Sequence, residues 1–175
     1  LYKDYSKSLK QRNSLLKKNE LSNIDYWTEL VSCLGSKISI IRNAYFNELN
    51  SMFENIKVEM QNLLPNIYAD IKESKITYNQ GWPLDLSLKE SLKNNLTKDM
   101  VLKHTTTGPH RADIIFSAGP GDLKNVSSMS TQIISSLLVI MSQARVFHVK
   151  HEDSPIILID DLFFGIDDKN LQLVI

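Results

Sequence analysis

Between residues 24 and 63 the apolar positions recur in steps of three and four, from Trp27, Leu30, Val31 and Leu34 through Ile38, Ile41, Tyr45 and Leu49 to Met52, Phe53, Ile56, Met60 and Leu63. At 3.6 residues per turn such steps fall on one face, so the pattern predicts a helix with a single buried stripe, ended by Pro65. A helix of that extent reaches on the order of 60 Å at 1.5 Å per residue, longer than a compact domain needs, and it reads as an arm. Gly35 inside it costs about 1 kcal/mol, which a long helix tolerates. A second helix, Tyr2 to Lys18, carries Leu9, Leu15 and Leu16 on one side and is expected to pack against the first.

Beyond Pro65 the period changes. Ile71 to Asn79 reads as extended chain, Gly81-Trp82-Pro83 as a turn, and Leu86 to Leu102 as one amphipathic helix. Gly108-Pro109 breaks the chain before a short buried strand, Ile114-Ile115-Phe116, which a Gly/Pro turn joins to a return strand over residues 122–126. Ser127 to Ser130 caps an apolar helix from about Thr131 to Val149. After Pro155 comes an unbroken apolar run, Ile156 to Ile159, closed by Asp160-Asp161. A run buried on both faces and ending in carboxylates is typical of a central parallel strand. The fold class expected is α/β, with a mainly helical part over residues 1–103 and a sheet-bearing part over 104–175.

Composition narrows the chemistry only a little. The chain has 175 residues, with 20 basic and 20 acidic side chains in balance, so no global field pulls it toward nucleic acid or membrane. One cysteine, Cys33, rules out an internal disulfide and any multi-cysteine metal site, and its place on the arm suggests plain packing. The single cysteine fits the reducing cytosol, so a cytoplasmic protein is expected; no apolar run stands out as long enough to span a bilayer, and no basic-then-apolar leader pattern is seen. His104, His110, His148 and His151 lack metal-ligand spacing. The sequence G-x-x-x-x-G-K-[ST] does not occur, and Gly119-Pro120-Gly121 has no following Lys-Ser or Lys-Thr to cradle a triphosphate.

Two segments nevertheless suit a nucleotide. An apolar strand that ends in two acids can hand its first aspartate, Asp160, to a magnesium ion and its second, Asp161, to the attacking water. Asp167 follows Gly165-Ile166 in a tight loop that opens a helix near Asp168. A strand ending in a solvated acidic turn fits the same letters. Ser128 and Ser130 at the start of an apolar helix offer free N–H groups and hydroxyls to an anion, although a lone serine cluster is more often an ordinary cap.

Thr105-Thr106-Thr107-Gly108-Pro109-His110-Arg111-Ala112-Asp113, then Ser128 to Ala144, then Ile157 to Asp167 resemble in order and spacing the C-terminal half of the RecF family of bacterial DNA replication and repair ATPases. Gln11-Arg12-Asn13-Ser14-Leu15-Leu16-Lys17 is similar to that family's Q/E-R-N-x-L-L-K segment, so the resemblance covers nearly the whole chain. It implies a partial ABC/SMC-type P-loop ATPase lobe with an inserted helical arm. Within that lobe it implies Asp160 at magnesium, Asp161 as the catalytic acid, and Ser128, Ser130, Gln132 and Asp167 around ATP across a homodimer interface. It further implies a weak DNA-dependent ATPase acting in recombination and the SOS response. Such a mediator binds single-strand/double-strand DNA junctions and loads a recombinase with RecR- and RecO-type partners.

This sequence departs from the family where a signature glycine is expected: Ser130 stands there, with Thr131 and Ile133 flanking Gln132. The family's phosphate loop lies before the segment that matches Leu1, so the chain by itself is expected to need no cofactor and to hydrolyse no ATP. A non-catalytic coiled-coil interaction module and a non-functional split-gene remnant are the competing readings. The role of Gly108, Pro109, His110 and Arg111 stays open, with Arg111 paired to Asp113 or another acid as the plainest reading. Lys7, Lys10, Arg12, Lys17 and Lys18 on the first helix are candidates for DNA phosphates or a solvated face.

Overall fold

The computed structural model describes residues 1–63, 65–119, 121–122 and 128–160. In chain order its elements are α1 (Tyr2–Lys18), α2 (Ile24–Leu63), α3 (Pro65–Ile71), β1 (Ser74–Asn79), α4 (Leu88–Asn94), α5 (Leu96–Leu102), a 3-10 turn (Pro109–Arg111), β2 (Asp113–Ala118), β3 (Gly121–Asp122) and α6 (Met129–His151). They form two compact units, one from residues 1–44 and 78–114, the other from 45–77 and from 115 onward.

In the first unit α1 and the start of α2 pack with α4. Tyr5, Val31, Ile38, Leu88 and Leu92 make the core, and Leu9, Leu34 and Trp82 pack against it. The buried stripe of α1 is Tyr5, Ser8, Arg12 and Leu16, so two polar residues occupy positions where Leu9 and Leu15 were expected to lead. At Gly35 a Cβ would stand 2.5 Å from Leu88 Cδ2, so any larger residue there has to move the end of that core side chain. The helix expected over Leu86 to Leu102 is divided at Asn95. The Asn95 side chain donates to the Ser91 carbonyl at 2.8 Å, and its backbone leaves the helical region. Short amide side chains compete for helix carbonyls in this way. The start of α4 is secured reciprocally: Ser87 Oγ accepts from the Glu90 N–H at 3.2 Å, and Glu90 Oε2 accepts from the Ser87 N–H at 2.9 Å.

In the second unit Leu49, Phe53 and Ile56 from the end of α2 join Ile71, Ile76 and the α6 residues Ile134, Leu138 and Val146 in the core. Lys57 is buried, and its ammonium donates to the Ser74 carbonyl at 2.7 Å. The sheet has the order β1-β2-β3, with β2 and β3 antiparallel in the register Ser117 to Asp122 and Ala118 to Gly121.

Several expectations change. Ile41 and Tyr45 are exposed, because the stripe of α2 serves one core up to Ser39 and another from Leu49. Cys33 is exposed as well. The strand expected to be buried around Ile115 is half-exposed, with Ile115 itself 44% exposed. By length and composition α6 could cross a membrane, which the sequence reading had not anticipated. Its buried Thr131, Ser135 and Ser142, interleaved with Ile134, Leu138 and Val146, suit a core helix.

The largest change concerns Ile156 to Ile159, which lie in no strand and stand exposed, Ile156 at 89% and Leu158 at 92%. A central parallel strand exists only between hydrogen-bonded neighbours and beneath helices on both faces. Among the described residues the sheet offers it no such neighbours.

Candidate functional site

The two segments that carry the sequence resemblance on either side of the first unit meet around one buried cation. Arg12 and Asp99 are both fully buried and form an ion pair at 2.8 Å. The same guanidinium donates to Thr105 Oγ1 at 2.6 Å, to Thr28 Oγ1 at 3.1 Å and to the Leu92 carbonyl at 3.5 Å. The other oxygen of Asp99 accepts from the N–H and hydroxyl of Thr106, at 2.9 and 2.7 Å. Asn13, next to Arg12, accepts from the N–H and hydroxyl of Thr105 at 2.8 and 2.7 Å. Every polar atom thus lost from water has a partner, the condition under which a buried pair is tolerated. Arg12 is a bolt for the 105–106 segment, so it leaves the set of residues that could reach DNA; Lys7, Lys10, Lys17 and Lys18 are exposed.

The loop that follows is held just as firmly. Gly108 has φ +131°, a region that L side chains avoid, and a Cβ there would also crowd Tyr5 Oη at 3.0 Å. Its N–H bonds the Gly81 carbonyl at 3.0 Å, and the Pro109 carbonyl accepts from Arg42 Nη1 at 2.6 Å. His110 Nε2 lies 3.0 Å from the Thr105 carbonyl and Nδ1 lies 2.8 Å from Tyr5 Oη. A carbonyl only accepts, so Nε2 carries the proton and Nδ1 accepts from the tyrosine. Burial is the main cause that depresses the His110 pKa below its usual value and raises that of Tyr5 well above its own.

These shifts give a pH dependence with a definite sign. The unfolded chain binds a proton at His110 more readily than the folded one does. The histidine's contribution is therefore complete above its unfolded pKa of about 6.5 and fades as pH falls through the depressed folded value. Tyr5, with its pKa raised, contributes fully below about pH 10 and fades above it. Urea melts at pH 7 and pH 5 are expected to show a loss on acidification that His110→Gln reduces; an equal loss in both proteins would contradict a His110 pKa held below its usual value by burial.

Arg111 differs from its neighbours. It is exposed and, among the described residues, has no ion pair, while the Asp113 carboxylate accepts from the Ile114 N–H at 2.8 Å. The expected pairing of Arg111 with Asp113 is therefore not made. An acidic partner so close in sequence is taken up by its own strand.

The expected phosphate-facing residues lie in the second unit. Ser128 caps α6, its Oγ accepting from the Thr131 N–H at 3.2 Å and lying 3.0 Å from Ser130 Oγ and 2.9 Å from Thr131 Oγ1. Gln132 and Asp160 line one open cleft of about 390 Å³ with Met129, Ile133, Ser136, Leu137 and Ile159. Asp161 and Asp167 fall outside the described residues. A carboxylate on an exposed segment suits one ligand position of a magnesium ion, which prefers oxygen and keeps several waters. The rest of the cleft wall is mostly apolar, and among the described residues nothing there cradles a triphosphate. Asp160 stands on the wall of this cleft, and among the described residues no three acidic, histidine or cysteine side chains gather as metal ligands.

The sequence reading missed Asp99, Thr28, Tyr5 and Arg42 as the fasteners of this loop. The one visible signal was a helical step of four from Ser8 to Arg12 to Leu16, which puts a charge on a stripe that ends in core.

No family model matches the chain. It is 27% identical over 168 residues to the DNA replication and repair protein RecF of Shewanella baltica (strain OS185), an overlap that takes in 95% of this chain and 44% of the relative. It is 29% identical over 165 residues to RecF of Pseudoalteromonas translucida (strain TAC 125), with 93% and 43% covered. A solved structure of the recombination mediator protein RecF with ATP superposes with a TM-score of 0.77 over 98% of this chain and 47% of that one, at 23% identity. A second, with the nucleotide named ATPrS, gives 0.74 at 24% identity. The chain thus spans less than half the length of the relatives it matches.

Proposed function

We propose that this chain, RecF-like in sequence and fold, supplies the helical arm and part of the ATPase lobe of a DNA replication and repair mediator. In that reading the complete protein binds ATP and single-strand/double-strand DNA junctions, and it supports recombinase loading together with RecR- and RecO-type partners. Asp160 and Asp161 then serve the magnesium ion and the attacking water, and Ser128, Ser130 and Gln132 face a nucleotide held by a second subunit. One observation carries the reading. The segment around Arg12 and the segment from Thr105 to Arg111, which the resemblance singled out independently, are clasped together by the Arg12–Asp99–Thr105 network. The similarity to RecF proteins along nearly the whole chain supports it further.

The test is complementation. Alone, the chain is expected to show no micromolar affinity for magnesium-ATP, because it contains no phosphate loop. Mixed with a RecF N-terminal half that bears one, it is expected to bind ATP, and Asp160→Asn should weaken that binding about tenfold or more. Micromolar binding by the chain alone, or indifference of the complemented pair to Asp160→Asn, would remove the assignment.

A further inference from the structure

Of the four residues in the Gly108 to Arg111 segment, three have internal tasks: Gly108 makes the turn, Pro109 accepts from Arg42, and His110 bridges Tyr5 and Thr105. Arg111 has none. It projects from a 3-10 turn fixed at both ends, onto an open cleft of about 520 Å³ lined by Asn79, Gly81, Trp82, Pro83, Asn95, Thr107 and Arg111.

The chemistry of that wall is selective. It contains one cation and no carboxylate, so the guanidinium charge is not neutralised from within the cleft. Trp82 is half-buried, with part of the side chain packed against the core and part lining the cleft. Thr107 Oγ1 is shielded from solvent and has no hydrogen-bond partner among the described groups. The cleft rim is rigid as well, because the Gly108 N–H to Gly81 carbonyl bond ties the 81–83 turn to the loop that carries Arg111. An arginine recognises phosphate oxygens with its fork of donors, and an indole offers a face to a flat ring. The volume lies within the several hundred cubic ångströms usual for small-ligand sites.

We infer that the Trp82–Arg111 cleft binds a nucleoside 5′-phosphate unit, with the phosphate on Arg111 and the base against Trp82. That chemistry has two sources, a free nucleotide and a nucleotide within a single strand. The reading under Proposed function favours the strand. The inference rests on that reading only for the choice of source, and since the site uses neither Asp160 nor ATP, it can fail while complementation succeeds, and the reverse.

The experiment titrates the full chain, in Trp27→Phe form so that Trp82 alone reports, with oligo(dT), with dTMP and with inorganic phosphate. Oligo(dT) is expected to quench Trp82, and Arg111→Gln to weaken the binding about tenfold or more while the thermal melt stays unchanged. Trp82→Leu should weaken binding of a labelled oligonucleotide by a similar factor, with folding checked by circular dichroism. Equal affinity for dTMP and oligo(dT), both lost in Arg111→Gln, would support the site and assign it to free nucleotides. The inference is overturned if no probe quenches Trp82, or if phosphate alone competes as well as dTMP. It is overturned too if Lys10→Gln and Lys17→Gln reduce binding while Arg111→Gln does not.

Discussion

Replacing Arg12 by methionine is expected to destabilise the chain by about 3–5 kcal/mol, the cost of leaving one partner of a buried pair uncompensated. The side chain has no exposure, and neither has Asp99, so water cannot take over the lost contacts without opening the core. Three more acceptors, Thr28, Thr105 and the Leu92 carbonyl, lose their donor in the same step. Asp99→Asn should cost a similar amount: its amide oxygen can still accept from Thr106, but its NH2 then faces Arg12 Nη1 donor to donor, and the buried guanidinium keeps its charge. Chemical denaturation at neutral pH measures both, and the double variant closes a cycle whose coupling should exceed about 0.5 kcal/mol for residues in contact. An Arg12→Met variant that lost less than about 1 kcal/mol would contradict a buried pair of this kind. Lysine is a poor substitute, since a single ammonium cannot span acceptors arranged around a planar fork.

A second large effect is expected from one methyl group. Gly81 has φ +94°, and a Cβ there would run into the Gly108 carbonyl and sit 3.0 Å from the Ala112 nitrogen, backbone atoms that cannot swing aside. Gly81→Ala therefore combines an unfavourable conformation with a collision, and a loss of about 3 kcal/mol is expected, at the upper end of the range for strained backbone. Gly119 provides the control. Its φ is also positive, at +58°, yet a Cβ there meets nothing within 4 Å, so Gly119→Ala should cost only about 1 kcal/mol. Thermal melts of the two alanine variants, compared side by side, separate steric conflict from backbone preference. Equal losses would mean that the 81–83 and 107–111 loops are not held together as described.

The helices of this fold were legible because their cause is local. A stripe repeating every three to four residues marked α1, α2 and α6, and the structure begins α2 at Ile24 and ends it at Leu63, where the pattern did. The division at Asn95 was hidden, since it depends on whether one amide turns back onto the Ser91 carbonyl. Exposure at Ile41 and Tyr45 was hidden as well, because periodicity reports which residues share a face and cannot say that the face serves two cores. The run from Ile156 to Ile159 shows the converse. Its letters describe a buried strand, while burial requires neighbours that the described residues do not offer. For the candidate site, motif spacing pointed to the Thr105–Arg111 loop and to Asp160, but not to the pair that fastens the loop. Arg12 and Asp99 are 87 residues apart, and nothing in either neighbourhood announces the other.

The discontinuity of the first unit bears on how the chain is made. It leaves that unit at Ala44 and re-enters at Tyr78, so Arg12 emerges from the ribosome long before Asp99 and Thr105 exist to receive it. Over the 87 residues that separate Arg12 from Asp99, about 4–17 s of synthesis at 5–20 residues per second, the nascent α1–α2 pair carries an unmatched charge on the face it is meant to bury. The helices α1 and α2 are thus committed to waiting, solvated and loosely packed, until the loop that neutralises them arrives.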